Sequence, residues 1–373
     1  MKKQVLVGIL AISIIFVSCK KKSKEDTEAQ PEIFKLEYSK LGTEQQKQEV
    51  EKAGVDFISK INVLPEQKFI SGLQQLNRLE PQVSNLSLYD RITTMSVHSK
   101  ENNFKGLFAS VASFTPQTKS LSGYYGVYTW NHTKKDWDES PSSNRLEIRY
   151  PSDSTKIVNN SILTISYLAS KTKLGNEELP AFFSSVLKID NNEEFRITSN
   201  YEYKPDGTPS KVDMNVMLGV FTFKHLLLND GSTASSEWTF LKGTESLLGL
   251  KVGATGTTSF DAATVKDQDI IKNANASFQI MNIKLLGEID IKGLSAEGGS
   301  DPAKTLEALN KYAKFAAVNT KDNTVMARID FILDPQTGTP TSRLIFKDDS
   351  KMSFDEFFKS GFDNLFGEIA KLN

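Results

Sequence analysis

The pattern of apolar and polar positions changes twice along this chain. An apolar run fills residues 5–17, a helical repeat governs residues 43–79, and alternation with a period of two begins near residue 121. Helical spacing places every third or fourth side chain on one face, whereas strand spacing places every second one there. The pattern therefore predicts helices followed by a β-rich region.

The helical repeat predicts two amphipathic helices. Thr43 and Gln46 have capping-box spacing, Pro65 suits the first turn of a second helix, and Pro81 interrupts the repeat. The apolar positions are Val50, Ala53, Phe57, Ile58, Ile61, Leu64, Phe69, Leu73, Leu76 and Leu79. We expect a helical hairpin that covers an apolar surface, within a helical N-terminal subdomain of residues 41–120.

The β-rich region predicts strands with one wet face. Apolar and polar residues alternate over residues 195–204, with Ser199 the exception on the apolar side, and residues 275–294 continue in the same manner as one strand. Over residues 212–227 the apolar phase shifts after Gly219, which suggests a β-bulge in a long strand. We expect strands approaching twenty residues, although strands of five or six are ordinary.

Two more helices are predicted within the region of residues 121–373. Asp301 and Pro302 are typical of a helix start, and the first of these helices is expected near residues 301–319. The second, residues 353–372, begins with the Ser353–Glu356 capping pattern and is rich in phenylalanine. The predicted fold is α+β: a large curved antiparallel β-sheet of long strands, an N-terminal helical hairpin and a packed C-terminal helix.

The N-terminus has the features of an export signal. Lys2 and Lys3 precede the apolar run, which suits a signal peptide in length, and Ser18 stands directly before Cys19, the one cysteine of the chain. A lone cysteine in an exported protein cannot form an internal disulfide. The stretch FVSC resembles the lipobox of bacterial lipoproteins, and the acidic residues that follow resemble an export signal of Bacteroidota lipoproteins.

The lipoprotein resemblance implies a location and a chain organisation. Residues 1–18 would be removed, Cys19 would be acylated, and the protein would be held in the cell envelope at the outer membrane, on either the periplasmic or the surface face. Residues 19–40 are polar and are expected to form a disordered tether after the lipidated cysteine. The membrane is thus the expected partner, reached through Cys19.

Charge and motifs exclude several other classes. Removing residues 1–18 takes two lysines, so a formal charge of −1 becomes −3, and no basic patch for nucleic acid results. His98, His132 and His225 are not spaced as metal ligands, and no cofactor is predicted. Ser185 and Lys188 match the S-x-x-K motif of β-lactamases, but the downstream K-T-G of that family is missing. Enzymatic activity is therefore the least favoured interpretation.

An aromatic hairpin offers a candidate binding site. Tyr124, Tyr128, Trp130 and Trp137 are part of the densest aromatic patch of the sequence. Aromatic rings on a strand can stack on sugars, and cross-strand aromatic pairs also stabilise a hairpin without any ligand.

Two functions from different classes follow. The first is a non-enzymatic lipoprotein that binds a lipid or other hydrophobic ligand in a groove of the curved sheet. This would be similar, on fold alone, to the half-barrel lipid carriers of the Gram-negative envelope. The alternative is a surface module that binds glycan or protein through the hairpin of Trp130 and Trp137.

The anchor is directly testable. Cys19→Ser should release the protein from the membrane fraction or leave it as an unprocessed precursor, because the acyl acceptor is lost. Fractionation and mass measurement of the N-terminus decide this, and normal processing with retention in the membrane would show that Cys19 is not the anchor.

Overall fold

The computed structural model describes residues 35–357 apart from residues 82–86, 115–120, 175–176, 265–269, 300 and 355. Cys19, the first part of the predicted tether, and residues 358–372 of the predicted C-terminal helix lie outside the described residues. The described helices are α1 Thr43–Ile61, α2 Lys68–Arg78, α3 Ser87–Lys100, α4 Phe104–Ala112, α5 Ile291–Glu297 and α6 Pro302–Tyr312. The expected hairpin of two helices is thus part of a group of four, α1–α4.

Sixteen strands form one sheet. They are β1 Gly126–Asn131, β2 Asp136–Pro141, β3 Leu146–Tyr150, β4 Ser161–Leu174, β5 Glu177–Ile189, β6 Asn192–Tyr203, β7 Pro209–Leu218, β8 Phe221–Asp230, β9 Thr233–Lys242, β10 Glu245–Gly256, β11 Ile271–Ile280, β12 Ile283–Asp290, β13 Ala313–Asn319, β14 Thr324–Leu333, β15 Pro340–Ile345 and β16 Lys351–Ser353. From β16 back to β3 each strand pairs with its chain neighbour, and β1 then lies between β3 and β2. The predicted large sheet and the α+β class are confirmed.

The sheet is mixed rather than wholly antiparallel. β1 pairs parallel to β3, with Gly126 opposite Leu146, and antiparallel to β2, with Gly126 opposite Pro141. β2 therefore ends beside the start of β1, and residues 142–145 carry the chain past β1 to begin β3 at that same end. Because β3 starts where β1 starts, the two strands must run in the same direction.

Tight turns, not bulges, explain the phase shifts of the sequence. Gly219 has a φ of +62° and begins a two-residue turn between β7 and β8, with Leu218 opposite Phe221. Two residues paired across such a turn lie on the same face of the sheet and are three positions apart in the chain. The apolar positions therefore change from even to odd numbers, or the reverse, at each two-residue turn. The bulge expected at Gly219 is therefore wrong, and the single strand expected over residues 275–294 is β11 and β12 joined at Met281 and Asn282. The longest strand among the described residues has 14 residues, so the expectation of strands near twenty residues was also wrong.

Helices α1 and α2 cross one end of the sheet. This near end contains the turns at residues 132–135, 190–191, 219–220, 243–244 and 281–282, and that at 320–323. The contacts along the two helices run from one side of the sheet to the other. At α1, Glu49 Oε2 lies 3.3 Å from Lys321 Nζ, and Lys60 Nζ lies 2.7 Å from Glu245 Oε2. At the two ends of α2, Gln67 Oε1 accepts from Val220 N–H at 3.1 Å, and Leu79 O accepts from Trp137 Nε1 at 3.0 Å.

The main core lies between α1–α4 and the near end of the sheet. The Phe104 ring of α4 lies 5.6 Å from Phe57 of α1 and 5.0 Å from Phe240 of β9, which stacks on Phe223 at 4.4 Å. All four rings belong to one buried cluster that includes residues of helices α1–α4 and of both halves of the sheet. Each such ring contributes about 1.5–3 kcal/mol by leaving water.

Helices α5 and α6 cover the opposite end of β11–β14. Their Leu294 and Ala308 pack with Ile289, Ala313 and Phe331 in a second cluster. The helix expected near residues 301–319 ends at Tyr312, and Ala313–Asn319 is strand β13. Ala316, Ala317 and Val318 are buried between β12 and β14, so the pairing with two strands outweighs the helix propensity of alanine.

The start of the C-terminal segment packs on the core. Ser353 Oγ accepts from the backbone N–H of Glu356 at 3.1 Å, and the Phe357 ring, which is fully buried, lies 5.3 Å from Phe346. Phe354 is half-buried against the same core, and Phe358, Phe362 and Phe366 fall outside the described residues.

Matched glycine substitutions test the contact between Gln67 and the turn at Gly219. Gly243→Ala, at a φ of +59° with open space around it, should lower the free energy of unfolding by about 1–2 kcal/mol through backbone strain alone. Gly219→Ala should lower it by about 1 kcal/mol more, because its Cβ would displace Gln67 from the Val220 N–H. Denaturant unfolding compares the two, and equal losses would show that the Gln67 contact adds no stability.

Candidate functional site

The two faces of the sheet differ in chemistry. On β6 the buried Phe195 and Ile197 alternate with the half-buried Arg196 and Thr198, as the alternation predicted. The polar side chains of neighbouring strands align with Arg196 and Thr198, among them Asn215, Lys224, Glu237, Lys251, Asn275 and Ser277. The sheet therefore has a polar face and an apolar face, and the helices pack on the apolar one.

Part of the apolar face is only half-buried. Val212 of β7 lies opposite Leu227 of β8. On the far side of β9, Leu250 and Val252 of β10 lie opposite Trp238 and Ser236. These four apolar residues (Val212, Leu227, Leu250 and Val252, here called the apolar strip) are half-buried and belong to none of the hydrophobic clusters of the described residues. The strip is thus an apolar surface that the described helices leave partly accessible.

A stacked histidine and tryptophan border the strip on the side of α4. The rings of His225 and Trp238 lie face to face at 4.0 Å and 7°, and Phe108 of α4 lies 5.7 Å from Trp238. A ring nitrogen of His225, Nε2, lies 3.0 Å from Ser236 Oγ. Burial lowers the pKa of His225 below its usual value, because the charged imidazolium loses hydration. The ring is therefore neutral at pH 7.

Tyrosines border the strip at β6. The rings of Tyr201 and Tyr203 stack at 6.3 Å and 9°. Burial raises the pKa of Tyr201, and it raises that of Tyr203 further, with Tyr201 and Tyr167 adding to the effect. Tyr167 lies two strands away on β4, against the main core, and its buried hydroxyl has no hydrogen-bond partner among the described residues. These tyrosines keep their protons at neutral pH, so this border is polar but uncharged.

The aromatic hairpin packs inward. Trp130 and Trp137 lie opposite each other with centroids at 5.4 Å and rings at 71°, and both pack against the main core. Tyr128 is 5% exposed, and its hydroxyl lies 3.5 Å from the carbonyl oxygen of Tyr124. The structure brings the four predicted residues together. Because the Trp137 indole N–H is already bonded to Leu79 O, the arrangement is that of a hairpin docked on α2.

Other candidate catalytic residues are far apart. His98 lies on α3, His132 in the loop at residues 132–135, and His225 on β8, and no three metal-ligating side chains cluster within the described part of the chain. Ser185 is buried on the apolar face of β5, whereas Lys188, three residues along the strand, is exposed on the other face. The S-x-x-K match therefore cannot form a nucleophile and base.

Two clefts of about 390 and 340 Å³ lie elsewhere on the surface. The first separates α1 from the near-end turns and contains the Lys60–Glu245 ion pair. The second lies on the polar face over β10–β12, lined by Lys251, Lys284 and Glu288 among others. Neither cleft includes a strip residue, so the strip is a shallow surface rather than part of either cleft.

Within the described ranges, no helix is both long enough and apolar enough to cross a bilayer. Comparison with known proteins found no matching family model, no matching curated protein and no matching solved structure.

Ser236 and Trp238 were not recognised as site residues from the sequence. The alternation of Ala234, Ser236, Trp238 and Phe240 in one strand would have placed them on the apolar face. It would not have shown that His225 stacks on Trp238, since that contact depends on strand register.

The buried His225 should make stability pH-dependent. Its folded-state pKa is lowered, so the unfolded chain binds a proton that the folded protein does not, and stability should fall as the pH drops below about 6.5. Between pH 7.5 and 5.5, His225→Gln should lose much less unfolding free energy than the parent protein. The control is His132→Gln, a substitution in an exposed loop, which should keep the parent's pH dependence. If the two variants show the same pH dependence, His225 is not the titrating group.

Proposed function

We propose that this protein is a non-enzymatic lipoprotein of the cell envelope, anchored in the outer membrane through Cys19, that holds a hydrophobic ligand on the apolar strip. The observation that carries the ligand proposal is the position of Val212, Leu227, Leu250 and Val252 outside the described hydrophobic clusters. Contiguous apolar surface that a protein leaves accessible is typical of a binding site.

The borders of the strip suggest what kind of ligand fits. His225 is neutral, the tyrosines are protonated, and Ser236 and Tyr201 supply hydroxyl groups beside the apolar residues. A charged head group would receive no opposite charge from these residues. The surroundings favour a hydrocarbon chain or ring system with an uncharged polar group, such as a hydroxyl or ester.

The pair of His225 and Ser236 supports binding rather than catalysis. An acyl-transfer site also needs a group that orients the imidazole and donors for an oxyanion. Among the described residues, the contact with Ser236 is the hydrogen bond that the His225 ring makes, and its flat face is covered by Trp238. The ring is therefore held as a wall of the strip.

Adjacent leucines of β8 allow a matched test. Leu227 lies on the apolar face, whereas Leu226, opposite Glu237, lies on the polar face. Leu227→Gln should weaken binding of the neutral hydrophobic probe N-phenylnaphthylamine about tenfold, the effect of losing about 1.4 kcal/mol of apolar contact. Leu226→Gln should change it less than about twofold.

Fluorescence titration measures both affinities, with the unfolding midpoints as a check on folding. Equal binding by the two folded variants would place the probe elsewhere and contradict the proposed site. Mass spectrometry of lipids that co-purify with the protein from its native membrane then identifies the natural ligand class.

A further inference from the structure

Two loops at the near end of the sheet are joined side by side. The loop at residues 132–135 connects β1 and β2, and residues 151–160 connect β3 and β4. His132 Nε2 lies 3.0 Å from Asn159 Oδ1, and Asn159 Nδ2 donates to the carbonyl oxygen of Trp130 at 2.8 Å. The two loops therefore form one surface, here called the near-end loop pair.

The longer loop displays two apolar side chains to solvent. Ile157 is 84% exposed and Val158 is 59% exposed. The base of this loop is braced: Asn160 Oδ1 accepts from Ser152 N–H at 2.8 Å, and Asn160 Nδ2 donates to Asp190 at 2.9 Å. Single exposed apolar residues are ordinary, whereas two adjacent ones held out by a braced loop suit a nonpolar environment.

Three lysines lie on the near-end loop pair. Lys156 precedes Ile157, and Lys134 and Lys135 lie in the adjoining loop, where Lys134 also pairs with Asp138 at 2.7 Å. Four carboxylates lie on the same surface: Asp136, Asp138, which pairs with Lys134, and Asp153 and Asp190, which accept hydrogen bonds from Ser152, Thr155 and Asn160. Exposed apolar side chains with lysines in the same and the adjoining loop suit the boundary between acyl chains and phosphates.

The tether enters the fold at this same end. Tyr38 pairs parallel to Val325, with Val325 N–H donating to Glu37 O and Ser39 N–H donating to Val325 O, both at 2.8 Å. β14 begins at the near end, so a chain parallel to it also arrives from the near end. Cys19 precedes Lys35 by 16 positions, and at about 3.3–3.6 Å per residue this chain spans at most roughly 55 Å.

We infer that the near-end loop pair is a membrane-contact surface. Ile157 and Val158 insert into the leaflet that carries the acylated Cys19, and Lys134, Lys135 and Lys156 lie at the level of anionic phospholipid phosphates. The inference rests on the proposed anchoring at Cys19, not on the ligand of the apolar strip. It gives the protein two attachments along one end of the sheet and directs the opposite end away from the bilayer.

An environment-sensitive probe tests this with the full-length, acylated protein. Because Cys19 is the one cysteine and the lipid of the proposed anchor would occupy its thiol, Ile157→Cys provides a single free thiol for a nitrobenzoxadiazole label. In vesicles of phosphatidylethanolamine and phosphatidylglycerol, the label should shift to the blue and be quenched at least about twofold by lipids brominated near the glycerol. The matched control is Leu174→Cys, 50% exposed at the opposite end of β4, whose label should stay aqueous.

Each outcome has a distinct meaning. A label at residue 157 that stays aqueous in protein that floats with the vesicles would overturn the inference. Shielding in native membranes but not in pure lipid would also overturn it and point to a protein partner. Protein that does not float at all would refute the anchoring and this orientation with it, whereas failure of probe binding at the apolar strip would leave both intact.

Discussion

In the described part of the chain, sixteen strands form a sheet that does not close on itself, so its apolar face must be covered by something other than strands. In this protein the near end of that face is covered by four helices, and the contact is dominated by phenylalanine rings from both layers, such as Phe104 against Phe240. Because the two layers bury one continuous core, the helices, the near-end turns and the strand register stabilise one another. The position of every other feature follows from how far this cover extends.

Coverage at both ends leaves the middle of the apolar face less protected. α5 and α6 pack over β11–β14, α1–α4 pack over the near end, and the apolar strip lies on β7, β8 and β10, outside the clusters that these helices form. The uncharged borders of the strip are a consequence of the same burial, since His225 and Tyr201 lose hydration there. A surface of this kind suits a hydrophobic ligand and gives little support for catalysis.

The free edges of the sheet are protected in a different way. β2 ends at Pro141 and exposes charged residues such as Asp138, and β16 has three residues. Short, charged or proline-bearing edges discourage pairing with other chains. The accessible features of this protein are therefore on its face and at its near end, where the loop bearing Ile157 lies beside β3 and β4 and the tether enters beside β14, toward the other edge of the sheet.

The sequence by itself determined the helical and β-rich regions, the wet and apolar sides of β6, and the chemistry expected of Cys19, because these depend on local periodicity and residue type. It misplaced the turn at Gly219, because a shift in the alternation of apolar residues is compatible with either a bulge or a turn. It also misplaced the end of the helix at Tyr312, because the alanines that follow favour a helix unless strands pair with them on both sides. Only the tertiary structure decided which part of the apolar face stays accessible, which strands bring His225 onto Trp238, and which end carries both the tether and Ile157. Those facts depend on register and on packing between residues far apart in the chain, and no local pattern encodes them.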